Sequence, residues 1–200
     1  MNHFYVTKPY VIGLDKLGLK YVDLLTYVAI KSFLNHQDKS CYPAYETVGK
    51  LIGASRSFVA ESVSRLEKSG LMAKQNRYHT SNKYYFKSNG KMLPCQIPVE
   101  ILALDLSIYE KAMLIILRQF DAGTITYIMR DITWIAKELG VTYKTVYTQA
   151  QALIKKGYLV EKTFGKKTSY ELTDLFDWYF PWDLPAPERK STEDYLIEVG

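Results

Sequence analysis

The residue types that build metal sites and nucleophilic centres are few in this chain. Three histidines, His3, His36 and His79, and two cysteines, Cys41 and Cys95, follow no metal-ligand or catalytic spacing. No phosphate loop of the GxxxxGK[ST] form occurs, and a DNA-nicking tyrosine would need a histidine cluster that is missing. No catalysis, metal or cofactor is therefore expected. What the chain offers instead is cations interleaved with hydrogen-bonding side chains, in two sets. The first is Arg56, Ser57, Glu61, Ser64 and Lys68, followed by Lys74, Arg77 and Lys83. The second is Tyr143, Lys144, Thr145, Tyr147, Thr148, Gln151 and Lys155, followed by Lys166 and Lys167. Cations that neutralise phosphates, beside polar groups that bond base edges, are the chemistry of binding double-stranded DNA.

Charge and composition agree with that chemistry. Hydrophobic residues make up 48% of the 200 residues and charged residues 24%, which are ordinary globular values. The formal charge is +5, and it is unevenly placed. Residues 1–90 hold 13 Lys and Arg against 6 Asp and Glu, residues 91–170 hold 11 against 7, and residues 171–200 hold 2 against 8. A basic body with an acidic end suggests a polyanionic partner. No apolar run approaches the roughly 18 residues of a membrane helix, and the N-terminus lacks the pattern of a signal peptide. A soluble, cytoplasmic chain with no membrane partner is the expectation.

Stepping through the chain at an offset of 87 residues pairs Lys50-Leu51-Ile52-Gly53-Ala54-Ser55 with Lys137-Glu138-Leu139-Gly140-Val141-Thr142. The same offset pairs Leu19 with Leu106, Val59 with Val146, Leu66 with Leu153 and Gly70 with Gly157. One unit written twice is the simplest account. In each copy an apolar helix (20–35 and 108–120) precedes a short helix (45–52 and 132–139). Gly53 or Gly140 stops the short helix in the left-handed conformation, and Ser55 or Thr142 caps a third helix. Ser107 and Glu110 have capping-box spacing. Strands at 71–73 and 84–86, and at 158–160 and 170–172, close the two copies around polar, basic loops. Val59, Val63 and Leu66, like Val146, Ala150 and Leu153, mark the buried stripe of the third helix, which turns the two polar sets outward. The expected fold is mainly α with small β-wings (α+β), as two tandem winged helix-turn-helix domains. The expected domains are 1–90 and 91–175, with an aromatic, then acidic tail over 176–200.

The run Pro43-Ala44-Tyr45-Glu46-Thr47-Val48-Gly49-Lys50-Leu51-Ile52-Gly53-Ala54-Ser55-Arg56, with Leu66-Glu67-Lys68-Ser69-Gly70-Leu71 after it, resembles the helix-turn-helix domains of phage and plasmid replication proteins. The tandem arrangement resembles plasmid replication initiators built from two winged helices. This resemblance implies sequence-specific binding of double-stranded DNA at an origin, with the third helix of each copy in a major groove and the wings on flanking backbone. Two further readings stand beside it, a transcriptional regulator of the same fold and a protein-interaction module of a replication or recombination complex.

Within the sets, acidic Glu61 repels phosphate but accepts from a cytosine amino group, whereas Gln151 suits adenine and Lys144 suits guanine or phosphate. Specificity is thus expected mainly from the second set. Arg56 and Lys144 sit in the first turn of a helix, where the dipole disfavours a cation and an outside anion would favour it. Most of the seventeen tyrosines read as core and strand residues; Tyr143 and Tyr147 fall on or beside the outer face. The tail, with Trp178 and Phe180, reads as packing on the body or as a segment that binds a protein partner. The apolar first helices leave a homodimer open.

Overall fold

The computed structural model describes residues 5–9, 11–35, 37–78, 80–86, 94–120, 128, 130–164 and 167–173. In chain order the elements are β1 (Tyr5–Pro9), α1 (Asp23–Lys31), β2 (Ser40–Cys41), α2 (Tyr45–Ile52), α3 (Arg56–Lys68), β3 (Met72–Gln75), β4 (Lys83–Phe86) and β5 (Pro94–Pro98). A 3-10 helix at Val99–Ala103 leads into α4 (Ile108–Gln119), α5 (Ile132–Leu139), α6 (Tyr143–Lys155), β6 (Leu159–Phe164) and β7 (Lys167–Leu172). The fold is α+β. Among the described residues, six α-helices pack with three small antiparallel sheets ordered β1-β5, β2-β4-β3 and β6-β7.

The helix boundaries come from short-range chemistry. Gly53 closes α2 at φ +80° and Gly140 closes α5 at φ +65°, values that cost a side-chain-bearing residue conformational energy. Ser55 and Thr142 then start α3 and α6 by accepting from Phe58 N–H and Thr145 N–H, both at 3.2 Å. Gly49 permits the first of these turns to close tightly, since a Cβ there would lie 2.6 Å from the Ala54 carbonyl oxygen. The equivalent residue in α5 is Ala136, which carries that Cβ.

A carboxylate at the start of the first helix anchors the third helix in both halves. Asp23, buried, accepts from the Lys20 backbone N–H at 2.8 Å and takes both Arg65 guanidinium bonds at 2.9 Å. Glu110 accepts from the Ser107 N–H at 2.7 Å, completing a capping box, and pairs with Lys156 at 2.8 Å. These positions differ by the same 87 residues, Asp23 to Glu110 and Lys20 to Ser107. Arg65 itself gains from this pairing, and hydrogen bonding to Asp23 raises its pKa further.

One hydrophobic core runs through both halves. α1 packs on α4, and β1 pairs with β5 with Lys8 opposite Cys95. Lys8 is buried there; its ammonium donates to the Gln119 side-chain oxygen and to the Pro9 carbonyl at 3.0 Å. The Gln119 amide also holds Val11, accepting from its N–H at 3.0 Å and donating to its carbonyl at 2.8 Å. The apolar faces of α1 and α4 are thus occupied by each other and by the core, which leaves neither of them as an outer surface.

Several elements differ from the sequence expectation. The helix expected over 20–35 is α1, only Asp23–Lys31, because residues 20–25 enter through i to i+3 bonds such as Asp23 N–H to the Lys20 carbonyl. β1, β2, β5 and the 3-10 helix have no counterpart in the sequence reading. β1 and β5 carry Pro9, Pro94 and Pro98, which count against a strand in sequence. β6 and β7 extend into the stretch expected as a loop. The proposed boundary near 87–90 and the tail from 174 onward lie outside the described residues.

Candidate nucleic-acid interface

α3 buries Val59, Ser62, Val63 and Leu66. With Arg65 tied to Asp23, its rotation is fixed, and the stripe Ser57, Glu61, Ser64 and Lys68 is left outward, with Ser64 half-buried and the other three exposed. α6 buries Val146, Ala150 and Leu153 and turns outward Lys144, Thr148, Gln151 and Lys155, of which Gln151 is half-buried. These two stripes correspond position by position at the 87-residue offset. So do Arg56 with Tyr143 and Ala60 with Tyr147.

Of the first set's cations, Arg56, Lys74, Arg77 and Lys83 are engaged within the chain, whereas Lys68 is exposed. Arg56, expected to face an outside anion, pairs with Glu46 at 2.6 Å, with both side chains more than half exposed. Glu61 lies 3.6 Å from Arg65, one helical turn on, so part of its negative charge is offset. Lys74 pairs with Glu67 at 3.4 Å. Just past the ends of β3 and β2, the Arg77 guanidinium lies 4.5 Å from the Tyr42 ring centre and donates to the Ser81 carbonyl at 2.9 Å. Lys83 sits 5.2 Å from the Tyr42 ring and 5.1 Å from Tyr85. Hydrogen bonding to Tyr42, then to Tyr85, raises its pKa. Both cations thus rest on aromatic faces.

The second half is arranged differently. Tyr143 and Tyr147 stack on the outer face of α6, ring centres 5.9 Å apart and planes 12° from parallel, both exposed. Lys144, next to Tyr143 in sequence, is exposed, and among the described residues no ion pair involves it. Thr145 is half-buried, its hydroxyl 2.9 Å from that of Thr142, which places it at the cap and not on the stripe. Gln151 donates to Glu161 on β6 at 3.1 Å, so reading an adenine requires exchanging that bond. Lys162 pairs with Glu171 across the hairpin at 3.2 Å. Lys166 lies outside the described residues, as does the side chain of Lys167.

Tyr42 and Tyr85, which carry Arg77 and Lys83 on their rings, are not among the residues expected from sequence. The signal for Tyr85 lies in Lys83-Tyr84-Tyr85-Phe86, where alternation puts Lys83 and Tyr85 on one face and buries Tyr84. Arg130, exposed beside the start of α5 with its guanidinium 4.9 Å from the Trp134 ring, was also missed. No metal-binding group of His, Cys, Asp or Glu occurs among the described residues, and none of their helices is long and apolar enough to cross a membrane.

Residues 17–72 match the family model described as a helix-turn-helix domain. The matched span runs from the turn before α1 through α2 and α3 to the first residue of β3, so the outward stripe of α3 lies in the part of the domain that meets DNA in such motifs. A helix-turn-helix domain supports binding to DNA. No curated protein matches the chain.

Proposed function

We propose that this protein binds double-stranded DNA sequence-specifically through two winged helix-turn-helix units, 1–90 and 91–175, and acts by binding alone, without catalysis. The observation that carries the reading is the helix-turn-helix match on α2 and α3 together with the recurrence of their outward stripe on α6. In this account α3 and α6 each enter a major groove. The cations of β3, β4 and the β6-β7 hairpin, with Lys68 and Lys155, contact phosphates. Tyr143 and Tyr147 offer apolar edges to thymine methyl groups beside Lys144. The task proposed is origin recognition in the replication of a mobile element, plasmid or phage, with residues 176–200 as a tail that engages a protein partner.

The test is binding of the full chain to a library of random-sequence duplexes across a salt series, followed by recovery of the tightest sequences. A steep loss of affinity with salt and an enriched motif are expected. Absence of binding at low salt would overturn the reading. Enriched sites in iterated repeats at an origin fit initiation, whereas sites in promoters would make the protein a transcriptional regulator.

A further inference from the structure

We infer that the two halves are related by an internal two-fold axis, and that the DNA site is therefore an inverted pair of unlike half-sites. This rests on the reading that both α3 and α6 enter DNA. The axis is written in the β1-β5 ladder. An offset of 87 residues takes Lys8 to Cys95, and those two residues stand opposite each other. The same offset exchanges the pair Thr7 and Gln96 with the pair Pro9 and Pro94, so the ladder maps onto itself. An antiparallel ladder centred on two equivalent residues has a two-fold axis between them.

Away from the ladder the same operation pairs the elements that touch, although single contacts differ, since a Cβ on Gly53 would have no neighbour within 4 Å where one on Gly140 would meet Asp15. α1 and α4 are equivalents, and they pack on each other. The segment just before α1 reaches across to the turn of the second half: Leu14 N–H donates to the Glu138 carbonyl at 3.0 Å, and a Cβ on Gly140 would meet Asp15 Cβ at 2.8 Å. The equivalent of that segment is the 3-10 helix before α4, and it packs on α2 of the first half. Lys111 adds a bond from its ammonium to the Ile52 carbonyl at 3.3 Å, at the corresponding turn. Each half thus supports the helix-turn-helix of the other. A string of units related by translation would make such contacts in one direction only.

B-DNA has two-fold axes perpendicular to its own axis. A protein that places two symmetry-related helices in successive major grooves aligns its dyad with one of them, and its half-sites run in opposite directions. Because Ser57, Ala60, Glu61 and Ser64 on α3 are replaced by Lys144, Tyr147, Thr148 and Gln151 on α6, the half-sites differ in sequence. The dyad lies inside one chain, so a single copy suffices for a two-part site.

The experiment takes the site recovered from the random library and builds two duplexes from it. Both keep the same half-sites at the same spacing; in one they run inverted and in the other direct. The inverted arrangement is expected to bind the full chain about 100-fold more tightly, because the direct one strands one half-site's base contacts. Equal or tighter binding of the direct arrangement would overturn the two-fold inference while leaving DNA recognition intact. A single half-site bound as tightly as the pair would also overturn it. Failure of every duplex to bind would overturn the DNA reading beneath it.

Discussion

α3 and α6 are built on one frame and carry different outer faces. Both follow a left-handed glycine, start from a hydroxyl cap and are tied to a carboxylate on the first helix of their half. Outside, α3 presents small polar groups beside cations that already hold carboxylates, whereas α6 presents exposed Lys144 beside a stacked pair of tyrosines. The residues that set helix position and those that meet a ligand are therefore different residues. The glycine, the hydroxyl cap and the carboxylate recur in kind at the 87-residue offset (Gly53 and Gly140, Ser55 and Thr142, Asp23 and Glu110), whereas the outer stripes share positions but only one identity, Lys68 and Lys155. Two outer faces of unequal character on a shared scaffold suit the asymmetric two-part site proposed above.

The frame is where the largest effects lie. Asp23→Ala leaves the Arg65 guanidinium without its buried partner and should cost about 3–5 kcal/mol. Glu110→Ala, whose partner Lys156 is well exposed, should cost only about 1 kcal/mol. Urea unfolding of the two variants measures the difference, and equal losses would break the comparison.

At the turns, Gly49→Ala drives a Cβ against the Ala54 carbonyl and should cost about 2 kcal/mol, whereas Ala136→Gly at the matching place should cost about 1 kcal/mol. Thermal unfolding separates them. The centre of the ladder sharpens the contrast through pH. Burial lowers the Lys8 pKa from 10.5 to about 8, so between those values the unfolded chain binds more protons than the native one, and the lysine's contribution to stability rises with pH. Burial raises the pKa of Cys41 to about 12, which acts oppositely above pH 9. The stability of wild type relative to Lys8→Met isolates the lysine and should increase by about 2 kcal/mol from pH 8 to 10. A flat difference would contradict it.

The outer faces should give the smallest changes. Lys144→Ala is expected to weaken DNA binding about tenfold and Arg56→Ala about twofold, since Arg56 is shared with Glu46. Titrations at one salt concentration compare them, and a larger effect at Arg56 would reverse the assignment.

Sequence reading recovered what short-range rules encode. Gly53, Gly140, Ser55, Thr142 and the Ser107–Glu110 box lie within a few residues of what they control, and the buried stripes of α3 and α6 follow helical period. What it could not supply was long-range. The β1-β5 pairing joins residues about 90 apart through strands interrupted by proline, and the Arg56–Glu46 and Gln151–Glu161 contacts depend on how separate elements meet. The tyrosine platform under Arg77 and Lys83 depends on β2, a two-residue strand without a periodic signal.

The most direct test of the account is a hydroxyl-radical footprint of the full chain on its selected duplex, repeated with Ser57→Glu in α3 and with Lys144→Glu in α6. Two protected patches about one helical turn apart are predicted, each variant erasing a different one. A single patch, or a footprint that Ser57→Glu leaves unchanged, would contradict the claim that both helices read DNA.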